Sequence, residues 1–176
     1  MHQLVESDPN VEIIWRAFEL RPEPVPMIDP NSDYLRRVWS DSVAPLAERL
    51  GVTMRFPPVK PRTRLAHEAA HWAGAQGRFE DYQREIFRAF FERGEDIGDV
   101  EVLLTLAAEL GLDSQSLREA LTNHEFLDTV LADERHAAAI GVRGVPAFIA
   151  NRKAALTGVQ PVENLIKLVE SVRGTD

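Results

Sequence analysis

The 176-residue chain contains no cysteine. That absence removes disulfides, thiolate metal sites, thiol nucleophiles and any dithiol redox centre together, because each needs a sulfur that can be deprotonated or oxidised. Long apolar runs are also missing. None approaches the roughly 18 residues that a membrane-spanning helix requires, so no membrane partner is expected. No basic start leads into an apolar segment of the kind that directs secretion, and the expectation is a soluble cytoplasmic protein. Positive charge is scarce: 20 Lys plus Arg stand against 28 Asp plus Glu, for a net charge of −8. No basic stripe runs along any predicted face, which argues against nucleic acid as a partner. A chain of this length supports one good core, so one domain with an insertion is expected.

What is present is organised around Gly141-Val142-Arg143-Gly144-Val145-Pro146-Ala147-Phe148-Ile149-Ala150. Two glycines and a Val-Pro bond describe a forced turn, and Ala147 to Ala150 a buried strand that begins directly after it. Proline cannot donate to a sheet ladder, so it is tolerated at a strand's first residue and marks a boundary there. An X-Pro bond is also the one peptide bond at which the cis form is cheap, about 0.5–1 kcal/mol.

Taken in order, Met1 to Asn10 is polar and ends in Asp8-Pro9-Asn10, a turn or a frayed end. Val11 to Leu20 is rich in β-branched and aromatic residues, with apolar side chains at both parities. It predicts a strand covered on both sides. Pro22, Pro24, Pro26 and Pro30 make the next stretch an extended connection. Asp33 to Leu50 is predicted helical from Leu35, Val38, Trp39, Leu46 and Leu50, with Pro45 imposing a kink and Gly51 a left-handed stop. Pro61 to Ile140 reads as five helices. Thr63 caps the first, which runs through Ala75. Phe79 to Arg93 carries Phe79, Tyr82, Ile86, Phe87, Phe90 and Phe91 as a packing stripe. Asp99 and Asp113 cap the next two, and the last spans about Glu125 to Ile140. Beyond Ala150, Asn151-Arg152 suits a hairpin turn, Lys153 to Thr157 the returning strand, and Pro161 the first turn of a final amphipathic helix.

Three groups of side chains invite a chemical reading. His67-Glu68-Ala69-Ala70-His71 is an H-E-x-x-H on a predicted helix; two histidines one turn apart could hold zinc while Glu68 activates water. Gly77 stands where the longer metalloprotease pattern needs a third histidine, and alanine-rich helices produce such pentapeptides by chance. The expectation is therefore no metal site, with His67, Glu68 and His71 as a decoy and a zinc metalloprotease as the least favoured function. Lys60, Arg62 and Arg64 read as a solvated cluster before the helix, or as contacts to an anionic ligand. Trp15, Trp39 and Trp72 read as core.

As a set, several segments resemble the DsbA-like thioredoxin-fold oxidoreductases. The likeness is to the FrnE-like branch, related to the 2-hydroxychromene-2-carboxylate isomerases and kappa-class glutathione transferases. They are Gly141 to Ala150, Gly158-Val159-Gln160-Pro161 with the closing helix, Trp15-Arg16-x-Phe18-Glu19-Leu20, Arg64 to Ala70, Phe87-x-x-x-Phe91, Asp96-Ile97-Gly98-Asp99 and Leu106-Ala107-x-x-x-Gly111-Leu112. The resemblance implies an α/β thioredoxin-like sheet with a large helical insertion. Residues 1–176 would form one domain, with 11–33 and 141–176 as the thioredoxin part and about 34–140 as the insertion. It implies that Gly144, Val145 and Pro146 form a cis-proline platform for an extended peptide or thiol substrate. It further implies that Gly158, Val159 and Gln160 form a turn that holds an anionic ligand end in the glutathione-using relatives, a role suited to backbone amides at a helix start.

One departure outweighs these agreements. Members of that family begin with a strand and a Cys-x-x-Cys, or a serine equivalent, and Met1 already falls near the end of the helix that follows. The first family strand is therefore expected to be missing, leaving unpaired sheet edges. An upstream segment, a partner chain's strand or direct pairing of the flanking strands would fill the gap. With the nucleophile absent, the chain as it stands is expected to be inactive in thiol-disulfide exchange, which requires a thiolate. The alternatives are a glutathione-dependent isomerase or transferase relative, which makes glutathione the one cofactor in question, and a non-catalytic peptide-binding or dimerisation module that self-associates as a homodimer.

Overall fold

The computed structural model describes residues 1–173. It is a mixed α/β protein whose contacts divide it into two compact units. One is built from Met1–Leu20 and the chain from Asp133 onward, the other from Arg21–Ala132. None of the described helices is long and apolar enough to cross a membrane.

The second unit is all helical. Two short helices, α2 (Asp33–Val38) and α3 (Ala44–Leu50), are joined by a π-helical turn, Trp39–Val43. Pro45 sits within the first two residues of α3, where its missing amide costs no intrahelical bond, so the chain here forms two helices and a wide turn. Gly51 closes α3 in the left-handed region at φ +65°. The core follows in α4 (Arg64–Gly74), α5 (Phe79–Arg88), α6 (Val100–Glu109) and α7 (Ser114–Thr122). Alanines at 66, 69, 70 and 73 let neighbouring helices approach α4 closely, and Leu103, Leu106 and Leu117 fill the space between them. Each fully buried leucine contributes about 1.5–3 kcal/mol. Trp72 meets Tyr82 edge-on at 6.4 Å, and the buried Tyr82 hydroxyl donates to the Leu103 carbonyl at 2.7 Å, joining α5 to α6.

Local signals were met unevenly. Asp99 accepts from the Glu101 amide, and Asp113 from those of Gln115 and Ser116, as N-caps should. Thr63 does not: its backbone is helical and its side chain makes no capping bond. The helix expected over Phe79 to Arg93 ends as α helix at Arg88 and finishes in a second π-helical turn, Ala89–Arg93. Tyr82, Ile86 and Ala89 take the inward positions. Phe87, expected in the packing stripe, lies about 100° further round. It is 52% exposed, and its ring lies tilted against Phe91 at 6.3 Å.

The first unit holds α1 (His2–Ser7), the C-terminal part of α8 (Leu127–Ala139), a hairpin of β1 (Ala147–Ala150) and β2 (Ala154–Thr157), and α9 (Val162–Ser171). The polar start is a helix, and the turn expected at Asp8-Pro9-Asn10 follows it, closed by the Val11 amide on the Asp8 carbonyl at 3.1 Å. Leu4 is buried, α1 packs on α9, and Asp8 pairs with Arg173. Asn151 and Arg152 both take positive φ, 47° and 59°, giving the tight turn that lets β2 return along β1 in register Ala147 to Thr157.

Val11 to Leu20 is extended but joins no sheet among the described residues, and the expectation of a strand covered on both faces fails. Period-2 alternation explains the outcome: Ile13, Trp15, Ala17 and Glu19 are turned inward, whereas Ile14 and Leu20 are exposed. Asp133 on α8 holds this segment without a ladder. Its carboxylate accepts from the Arg16 guanidinium and from the Ala17 amide, each at 2.9 Å, and is almost fully buried.

Two stability predictions follow from these bonds. Asp133→Ala strands the buried Ala17 amide and lowers the unfolding free energy by about 1–3 kcal/mol. Arg16→Ala takes the cation away from an almost fully buried carboxylate and costs more, about 3–5 kcal/mol. Urea denaturation of both variants checks the order, and equal losses would contradict it. Tyr82→Phe removes the hydrogen bond that joins α5 to α6, while the Leu103 carbonyl keeps its intrahelical donor, and costs about 0.5–1.5 kcal/mol by the same measurement.

Candidate functional site

The loop between α8 and β1 and the turn after β2 are distant in sequence, and the hairpin register brings them together. Gly141, Arg143, Gly144, Val145, Pro146, Thr157 and Gly158 line one open depression of about 390 Å³. Gly141, just after α8, and Gly158, directly after β2, both hold positive φ, 77° and 75°, which lets the chain turn sharply at each. The Val145–Pro146 peptide bond is cis. Val145 and Pro146 are exposed at the rim, and Arg143 is the cation that lines it.

Hydrogen bonding fixes which backbone groups are available. The Gly158 amide donates to the Pro146 carbonyl at 2.8 Å, so the pair Pro146 and Gly158 continues the β1–β2 register by one step. Proline has no amide to return, and the ladder stops there. Since bonded and non-bonded pairs alternate in an antiparallel ladder, Pro146, Phe148 and Ala150 direct their polar groups toward β2. Ala147 and Ile149 direct theirs away from it. Among the described residues that outer edge of β1 has no partner strand.

Of the other residues expected to act here, Gly158 belongs to the depression, but its amide is committed to Pro146. The Gln160 side chain donates to the Thr157 carbonyl at 2.7 Å and accepts from Asn164 at 2.9 Å, bracing the turn into α9. Val159 is exposed. Pro161, expected inside the first turn of α9, is its N-cap.

The histidine motif has a different role. Glu68 is 1% exposed on the core side of α4, 3.4 Å from His124 Nδ1, and the His71 ring tilts against Phe79 at 5.8 Å. A base that activates metal-bound water must face solvent and the metal, and Glu68 faces the interior. Among the described residues no group of three His, Asp or Glu side chains could hold a metal ion. In the basic cluster, Arg62 donates to the Arg21 carbonyl at 2.6 Å and Lys60 lies 5.9 Å over the Phe90 ring, with burial pushing its amine below the usual lysine range. Both therefore serve packing.

Sequence reasoning missed Arg143 and Thr157 as lining residues, and Asp133 as the anchor beneath the first unit. A signal for Asp133 was present: it shares the buried face of α8 with Val130 and Ala137, three residues before and four after.

Residues 1–170 match the DSBA-like thioredoxin domain family. The uncharacterized protein YwbO of Bacillus subtilis is 39% identical over 144 residues, which span 80% of this chain and 72% of that protein. A probable DsbA oxidoreductase from Streptomyces coelicolor, of known crystal structure, is similar with a TM-score of 0.83 at 26% identity, covering 99% of this chain and 82% of its own.

The conformation at Gly158 is testable without any substrate. Its φ of +75° lies in the left-handed region, and a Cβ would meet nothing within 4 Å, so Gly158→Ala carries only the backbone penalty. The expected loss of stability is about 1–2 kcal/mol in thermal or urea unfolding, and a neutral result would contradict the assigned conformation.

Proposed function

The chain belongs to the DSBA-like thioredoxin domain family, and from that premise we propose that it carries the substrate platform of a thiol-disulfide oxidoreductase of the FrnE-like branch. In this reading Gly144, Val145 and Pro146 receive an extended peptide or thiol substrate. The single observation that carries it is the outer edge of β1. Ala147 and Ile149 direct amides and carbonyls away from β2, next to an open depression rimmed by Val145 and Pro146, and an extended peptide pairs with such an edge by strand addition. Arg143 at the rim favours substrates with an acidic group close to the paired segment.

These 176 residues are inactive in disulfide exchange by themselves. The reaction begins with a thiolate that attacks one sulfur of a disulfide and expels the other, and no residue here supplies a thiol. The glutathione-dependent reading has less support. The turn it would use for an anionic end has its Gly158 amide donated to Pro146 and its Gln160 side chain folded onto Thr157 and Asn164.

Titrating the nitrogen-15-labelled chain with an extended, cysteine-free acidic peptide is expected to shift the amide signals of Val145, Ala147 and Ile149. Backbone N-methylation of the peptide at alternate residues should abolish the shifts. No movement at those amides would overturn the platform reading. In an insulin-reduction assay with dithiothreitol the chain should add nothing to the rate of dithiothreitol alone, and any acceleration would refute the inactivity.

A further inference from the structure

The rod formed by α2, the π-helical turn Trp39–Val43 and α3 stands apart from the core of its unit, and no other helix of that unit packs against it. No residue of α2 or the π turn is buried, and α3 buries only Ala47. The rod nevertheless carries large apolar side chains in the open: Tyr34 is 57% exposed, Val38 37% and Leu50 55%. Together with Ser42 and the half-buried Leu46, they recur at every fourth residue. In an uninterrupted α-helix such a series winds progressively around the axis. Here the π turn, in which the Ala44 amide bonds back to the Trp39 carbonyl, rotates less per residue and keeps the five positions on one side. The result is a stripe about 24 Å long. Trp39 faces another way, edge-on to Phe56 at 5.5 Å.

We propose that this stripe is a homodimer interface, in which two copies of the chain pack antiparallel about a two-fold axis passing at Ser42. The pattern is its own complement. Reversed on a second copy, the stripe sets Tyr34 against Leu50, Val38 against Leu46 and Ser42 against itself, with the smallest side chain where the backbones come closest. A two-fold interface demands this self-complementarity of one patch.

The charges beside the stripe agree. One flank reads Asp33, Arg37, Asp41, Pro45 and Arg49, all exposed. Antiparallel packing opposes Asp33 to Arg49 of the second copy at both ends, and the two Asp41 side chains that meet at the axis each lie one turn from an Arg37 of the other copy. In a parallel two-fold pair the flanks interchange, so this charged flank would face Leu35, Trp39, Val43 and Ala47 of the second copy and Asp33 would lose Arg49, and the charges select the antiparallel arrangement. The inference concerns helices outside the cis-proline loop and does not depend on the substrate reading.

Sedimentation equilibrium of the 176-residue chain over a range of concentrations tests it. The parent is expected to dimerise reversibly. Val38→Glu should remain monomeric at concentrations where the parent is dimeric, with an unchanged circular dichroism spectrum because the site is exposed. Asp33→Arg and Arg49→Asp should each weaken association by about 5- to 30-fold, since each creates two like-charge contacts per dimer. The double variant should return to within about threefold of the parent, because the pairs are rebuilt with reversed sign. A parent that stays monomeric throughout, a dimer indifferent to Val38→Glu, or a double variant no better than the singles would each overturn the proposal.

Discussion

A single buried carboxylate organises the first unit. Val11 to Leu20 is extended and has no ladder to hold it, so its backbone groups must find partners elsewhere or remain solvated. Asp133 meets that need from the buried face of α8, accepting from the Ala17 amide with one oxygen and from the Arg16 guanidinium with the other. A buried charge is tolerated only when paired and hydrogen-bonded. Arg16 supplies the charge at the surface while Ala17 supplies a donor inside. Held at this point, the segment keeps Ile13, Trp15 and Ala17 inward as a strand would, without being one.

The hairpin solves a different problem, the combination of a proline at the edge of a ladder with a sharp turn on each side. Pro146 can accept but not donate, so the ladder closes with one hydrogen bond from Gly158 and goes no further. Beyond it the chain turns sharply at Gly141 and at Gly158, both in the left-handed region. Beside it Ala147 and Ile149, the non-bonded positions of β1, face outward with their backbone groups. An edge of this kind offers main-chain hydrogen-bonding groups more than side-chain ones.

Much of the architecture is legible in the amino-acid order. The short apolar run after Val145-Pro146, the turn at Asn151-Arg152, the aspartate caps at 99 and 113 and the left-handed stop at Gly51 are local devices, decided by a few neighbouring residues. Thr63 shows the limit of such reasoning, since a capping residue type in the right place adopts a helical backbone and its hydroxyl caps nothing. Phe87 shows another. Six aromatic and aliphatic residues make a plausible stripe on paper, yet the packed helices accept Tyr82 and Ile86 and leave Phe87 at the surface. Glu68 reverses the usual expectation for a charged side chain, turning inward to His124 because its place on α4 faces the core.

The sequence by itself determined the hairpin with its proline boundary and the absence of any thiol chemistry within these residues, because short-range pattern and composition suffice for each, and its resemblance to a known family supplied the class of fold. Only the tertiary structure decided that Gly144 to Pro146 and Gly158 share one depression, that Asp133 anchors the extended segment, and that the apolar side of the rod from Asp33 to Leu50 has no helix of its own unit against it. Those outcomes depend on contacts between residues tens of positions apart. Local patterns state which side chains seek burial, and only packing determines which of them find it.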